Sequence, residues 1–152
     1  KYQEPPYTVS TELVAEFRAV APPEQQQLIT DLFERITFYD NRADEISAKK
    51  RADGKYDVTI AWKAAKKLSD GIGKESELAL GDDIDIGVFA RAKGGDENDE
   101  KVLYLKKHRI DQPEGKITVV VDELPYDAGI DPLNKLIDRV SSDNRKRVSL
   151  ED

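Results

Sequence analysis

The chain has 152 residues, 24 basic and 31 acidic, with a formal net charge of -7 and no cysteine. That length allows one domain with a real core, and the 38% apolar share argues against disorder. The acidic balance disfavours nucleic acid and anionic lipid, which select cationic faces, and the missing cysteine removes disulfides, thiolate ligands and thiol nucleophiles.

No apolar run approaches the roughly 20 residues of a membrane helix, and nothing reads as a signal peptide. The chain has no Met and begins at Lys1. It is therefore expected to be a piece of a longer protein, with any targeting or anchoring element upstream.

Residues 1–9 carry Pro5-Pro6 and read as an extended lead-in. Ser10 is a candidate helix cap, with Glu12 in the first turn to offset the dipole. Leu13, Val14, Phe17 and Val20 share one helical face. Pro22-Pro23 ends that helix, because neither residue donates a backbone hydrogen bond. A second helix is predicted from Pro23 and Glu24, with apolar positions at Leu28, Ile29, Leu32, Phe33 and Ile36. Residues 1–36 thus read as a helical hairpin whose apolar face must pack on something.

From Ala43 onward the period changes. Tyr56, Val58, Ile60 and Trp62 alternate with Lys55, Asp57, Thr59 and Ala61, a strand signature. Asp53-Gly54 before it is a hairpin turn, which makes residues 43–52 the partner strand. Further strands are predicted over 75–80, 84–92, 101–110 and 116–122, with a last short one through 128–131. Between them lie turns at Asp70-Gly71-Ile72-Gly73, Gly94-Gly95-Asp96 and Pro113-Glu114-Gly115. The run Asp96-Glu97-Asn98-Asp99-Glu100 reads as a solvated loop. The fold class predicted is mainly β. A helical hairpin is followed, over residues 37–148, by an Ig-like antiparallel β-sandwich of about seven strands. Residues 149–152 are left as a tail.

Chemistry is sparse. A nucleophilic triad needs a base held beside Ser or Cys, and the single histidine, His108, sits among Lys106, Lys107 and Arg109. It reads as an edge-strand residue, without the paired-His spacing of a zinc site. Asp82-Asp83-Ile84-Asp85 places Asp83 and Asp85 on one strand face, with oxygens of the kind calcium takes. No calcium-loop spacing follows, so a turn entering a strand is the better account. Gly71 and Gly73 lack the Lys-Ser/Thr pair of a phosphate loop. Trp62 with Tyr56 fits a sandwich core better than a sugar-stacking platform. No catalytic residue and no metal ligand are assigned.

Three segments carry a resemblance: residues 32–43 (LFERITFYDNRA), 83–90 (DIDIGVFA) and 129–139 (GIDPLNKLIDR). In this order they resemble the C-terminal portion of bacterial membrane proteins that fuse an ABC-type permease to an aminopeptidase-N-like (gluzincin) metallopeptidase region. The resemblance runs from about Pro6 to Val148. In that family the zinc-binding His-Glu-x-x-His helix and its third ligand lie upstream, and no such motif occurs here. The resemblance implies a non-catalytic accessory domain that packs on or gates the peptidase region. It implies no cofactor in this fragment, with zinc in the upstream region. It also implies a periplasmic location, tethered to the inner membrane through the parent chain.

The partner so implied is the upstream peptidase domain of the same chain, with no nucleic acid and no direct membrane insertion. Asp40, Asn41, Arg42, Asp131, Asn134, Asp138 and Arg139 are the candidate inter-domain contacts. Local turn and cap chemistry is the other account of them. An Ig-like binding module for protein or glycan is the alternative function, and an enzyme with an unrecognised carboxylate site comes last.

Overall fold

A computed structural model describes residues 4–91 and 100–151 and is mainly β, with two short N-terminal helices followed by strands in two sheets. The predicted turn at Gly94-Gly95-Asp96 and the acidic run Asp96–Asp99 lie outside the described residues. The chain divides into two units, residues 1–37 with 68–76, and residues 38–67 with 77–152.

In the first unit, α1 (Ser10–Val20) and α2 (Gln26–Phe33) flank a 3-10 turn at Pro23–Gln25. The cap of α1 falls on Val9 rather than on Ser10. Glu12 supplies the capping oxygen, accepting the Val9 N–H at 3.1 Å, which is the acid-borne half of a capping box. α2 stops at Phe33, and Ile36, predicted as a helical position, opens β1 (Ile36–Lys50). The run Ile36-Thr37-Phe38-Tyr39 is β-branched and aromatic, and such residues lose less freedom in a strand than in a helix. β1 therefore begins seven residues before the predicted strand and takes in Asp40, Asn41 and Arg42.

Also in this unit is the turn after β2 (Tyr56–Ser69). Asp70 Oδ1 accepts the N–H groups of Ile72 at 2.9 Å and Lys74 at 3.0 Å. Gly71 (φ 81°) and Gly73 (φ 104°) supply the left-handed backbone on either side of Ile72. The loop is pinned by its own hydrogen bonds, and Ile72 at its tip is 91% exposed.

β1, β2, β3 (Glu75–Leu78), β6 (Glu114–Val121) and β9 (Ser149–Glu151) form one sheet, with β2 hydrogen-bonded to β1, β3 and β6. The other runs β5-β4-β7-β8, with β4 at Asp82–Arg91, β5 at Glu100–Ile110, β7 at Asp127–Ile130 and β8 at Arg145–Arg147. The Asp53-Gly54 turn is formed, with Gly54 at φ 86° and the Arg51 N–H donating to Lys55 O at 2.8 Å. β9 occupies the predicted tail and pairs with β1 in parallel, so that sheet is mixed rather than purely antiparallel.

In the second unit, Val58 and Ile60 of β2 join Ile84, Ile86 and Val88 of β4, Ile110, Val121, Ala128 and Ile130 in one buried cluster. Residues of both sheets thus share a single core, as in a sandwich.

Gly115, predicted in a turn, instead pairs with Trp62 across the β2–β6 ladder. A Cβ on Gly115 would sit 2.6 Å from Trp62 Cζ2, so the indole lies directly over this glycine. Gly115→Ala is expected to tilt the ring and cost about 1–2 kcal/mol. Trp62 is the single tryptophan, so its emission reports on the seat directly. An unchanged emission maximum and unfolding midpoint would contradict this packing.

Candidate functional site

The closing segment is assembled from backbone demands. After β7, Asp131 adopts φ 42° and Asn134 φ 51°, conformations that Asp and Asn tolerate better than most residues. The Asp131 N–H donates to Asp85 O at 2.7 Å. Its buried carboxylate accepts the N–H groups of Lys135 and Leu136, each at 3.0 Å. Burial raises the Asp131 carboxyl above its ordinary range; the Leu136 and Lys135 amides pull it down, while Asp85 and Asp138 add to the rise. Lys135 Nζ reaches Asp85 Oδ2 at 2.7 Å.

The segment then crosses to β1. The Tyr39 N–H donates to Ile137 O at 2.8 Å, and Asp138 Oδ2 accepts the Asn41 N–H at 2.8 Å while its Oδ1 accepts the Val140 N–H at 2.9 Å. Asn144 is fully buried. With its amide nitrogen turned toward β1, it donates to the Asn41 carbonyl and to Asp138 Oδ2. The segment is thus a strap that ties β4 of one sheet to β1 of the other.

Of the seven candidate contact residues, the structure gathers Asn41 and Asp138 directly, with Asp131 on the same strap. Asn134 forms the strap's turn, its N–H donating to Asp131 O at 2.9 Å. Arg139 lies over the Phe38 ring at 4.5 Å. Asp40 and Arg42 point to solvent from β1. The inward carboxylates are engaged with backbone amides of their own unit, which is turn and cap chemistry on a larger scale. Sequence reading weighed Asp85 only as a calcium ligand and did not pair it with Lys135, 50 residues away, and it missed Asn144.

The acids of β4 each meet a cation. Lys66, buried, holds Asp82 at 2.8 Å, and the Tyr39 hydroxyl donates to the same carboxylate at 3.2 Å. Arg109 approaches Asp83 at 3.9 Å. Lys135 and Lys107 flank Asp85 at 2.7 and 3.8 Å. His108 lies on β5, an edge strand, and its Nε2 is hydrogen-bonded to the Tyr104 hydroxyl at 2.7 Å.

A cleft of about 470 Å³ is lined by Tyr56, Arg91, Asp122, Glu123, Pro125 and Tyr126, among others. Its charged groups are engaged with near neighbours: Asp122 with Lys55 at 2.7 Å, Glu123 with Lys101, and Arg91 with the Tyr126 hydroxyl. Little is left there to recognise a ligand.

The helices differ. Their polar groups face each other: Arg18 donates to Thr30 Oγ1 at 2.8 Å, Gln26 Oε1 at 3.1 Å and Glu34 Oε1 at 3.2 Å. Gln26 donates back to the carbonyls of Arg18 and Ala21 at 3.0 and 2.9 Å, which satisfies the end of α1. Phe17 and Phe33 meet with ring centroids 5.5 Å apart. Ile29 of α2 is buried, and the other large apolar residues mostly point outward. α1 buries no residue, and Leu13 is 50%, Phe17 39% and Val20 81% exposed, with Leu28, Leu32 and Phe33 also exposed. Two apolar grooves of about 340 and 400 Å³ share Phe33 as a wall; Leu13 and Val14 line one, and Phe17, Val20 and Ile29 the other.

No family model, curated protein or solved structure matches this chain.

An 11-residue helix with no buried residue is below the roughly 12–15 residues that hold helix alone in water. A contiguous exposed apolar face marks a surface for another molecule or domain. Leu13, Phe17 and Val20 form such a face on α1.

Proposed function

We propose that this chain is a non-catalytic accessory module of a longer polypeptide, which packs on or gates a peptidase-type domain through its helical hairpin. The exposed Leu13–Phe17–Val20 stripe carries this reading. The resemblance of residues 32–43, 83–90 and 129–139 to the tail of permease–metallopeptidase fusions supplies the identity of the neighbour and its periplasmic setting. Zinc chemistry belongs, in this reading, to the upstream domain. Among the described residues, His108 is bound to Tyr104 and the β4 acids are held by cations, so these donors fit a metal poorly.

Hydrogen exchange tests it. Amides of α1 should exchange rapidly in this chain alone and be protected at least ~10-fold in the longer polypeptide, because burying the stripe raises the local opening energy. Equal exchange in both would sink the docking reading, and cleavage of aminoacyl substrates by this chain with added zinc would sink the non-catalytic one. The alternative, a glycan- or protein-binding sandwich face, would draw on Trp62, but that ring is seated over Gly115 with its Nε1 buried.

A further inference from the structure

The strap between β4 and β1 contains the single Asp-Pro step of the sequence, Asp131-Pro132. Two chemical properties meet at this bond. The proline nitrogen belongs to a tertiary amide without an N–H, and once released it is a secondary amine that takes up a proton readily. The aspartate carboxyl hangs from the same Cα as the scissile carbonyl. Its attack on that carbonyl closes a five-membered ring, and such intramolecular steps run at a high effective concentration.

The fold adds to both. Asp131 is held at φ 42°, and non-glycine residues in such backbone cluster where strain is put to use. Its carbonyl oxygen accepts the Asn134 N–H at 2.9 Å, which polarises the carbonyl and is placed to hold an oxyanion formed there. The carboxyl is 1% exposed and fixed by the Lys135 and Leu136 amides, each at 3.0 Å. Each carboxyl oxygen accepts one of these bonds and keeps a further lone pair for attack. Pro132 is buried too, and a Cβ on Gly87 of β4 would fall 2.8 Å from its Cγ, so packing holds the leaving nitrogen in place.

We propose that Asp131-Pro132 is a self-cleavage site, at which the Asp131 carboxyl attacks its own backbone carbonyl and releases Pro132 as a new N-terminus. A bond forms between a carboxyl oxygen and the carbonyl carbon, the C–N bond to Pro132 breaks, and the carboxyl proton passes to the proline nitrogen. Residue 131 is left as a cyclic anhydride, which one water opens to two carboxyls. The net change is hydrolysis of one peptide bond, once per molecule. No substrate is turned over, so the site goes beyond the accessory role and does not depend on it. The carboxyl must carry the proton it delivers. Scission is therefore fastest at low pH and slows as pH rises through the folded value, which burial sets above the ordinary range. The charged groups around the carboxyl are Asp85 of β4, Lys107 of β5 beside it, and Lys135 and Asp138 of the strap. After the cut, β8 stays paired with β7 and β9 with β1, so residues 132–152 stay attached until the chain unfolds.

The test incubates the chain at the lowest pH that keeps its native Trp62 emission, beside the same chain unfolded in urea at that pH, and follows both by intact mass. Fragments 1–131 and 132–152 should form at least ~10-fold faster from the folded chain, since one placed oxyanion donor is worth more than that. The rate should fall at higher pH. Asp131→Asn and Pro132→Ala should each abolish the fragments, with Trp62 emission reporting whether the variant is folded. Cleavage no faster in the folded chain than in urea is ordinary acid lability and overturns the proposal. So does a cut at another bond, or a folded chain that yields no fragment at all.

Discussion

Gly129→Ala is expected to destabilise the fold by about 3–5 kcal/mol, as an overpacked site that also breaks backbone pairing. Gly129 sits in β7 opposite Arg145 of β8. A Cβ there would fall 1.9 Å from Asn144 O and 2.9 Å from Arg145 Cα, both backbone atoms that no rotamer change can move. β8 would have to shift away. The Ile130 N–H bond to Asn144 O at 3.0 Å would be lost with it, and the buried Asn144 amide displaced from the strap. A small domain has roughly 5–15 kcal/mol in all, so the variant should show a large drop in its unfolding midpoint or fail to accumulate. A midpoint within a few degrees of the native chain would show that β8 does not pack as described.

Asp131→Ala is expected to cost about 3 kcal/mol, by stripping the acceptors from two amides and placing alanine at φ 42°. Asp131→Asn keeps one oxygen and tolerates the backbone, so about 1–2 kcal/mol is expected.

The pair also predicts a pH dependence. Burial raises the Asp131 carboxyl above its ordinary 3.8 in the folded chain. A raised carboxyl means that the folded state holds its proton more tightly than the unfolded state. Its contribution to stability is full below 3.8 and is lost as pH rises through the raised folded value. Asp127 is shifted the same way, again chiefly by burial, so the measurement must be differential. The native chain should lose stability relative to Asp131→Asn as pH rises through that window. A difference that stays flat, or one of opposite sign, would contradict the buried placement of Asp131.

Much of the architecture is legible in local sequence. Pro22-Pro23 ends α1, Asp53-Gly54 turns the first hairpin, and the alternation from Tyr56 to Trp62 marks β2. The misplaced boundary at Ile36 has a local cause too. Ile36 continues the helical spacing of Leu32 and Phe33, and only the following Thr37-Phe38-Tyr39 tips the balance toward strand. β8 and β9 span three residues each, too short for any period to show, and β9 exists because β1 offers an edge next to it.

Part of the strap was legible by residue type, while its long-range partners were not. Asp131, Asn134 and Asp138 stood out by type, since Asp and Asn mark turns and left-handed backbone. Which way their carboxylates face is a question of partners up to 97 residues distant, such as Asn41 for Asp138.

Patterning alone established a mainly β chain with a helical lead, because period and turn chemistry are local properties. Tertiary structure decided the rest. It turned the closing segment into a strap between two sheets, because backbone amides left over by β1 and by the turn after β7 needed acceptors. It also turned Arg18 of α1 toward α2 and buried Ile29, while it left Leu13, Phe17 and Val20 outward. Periodicity shows that a helix has two faces. Which one is covered depends on what packs there, and here the fold leaves Leu13, Phe17 and Val20 exposed.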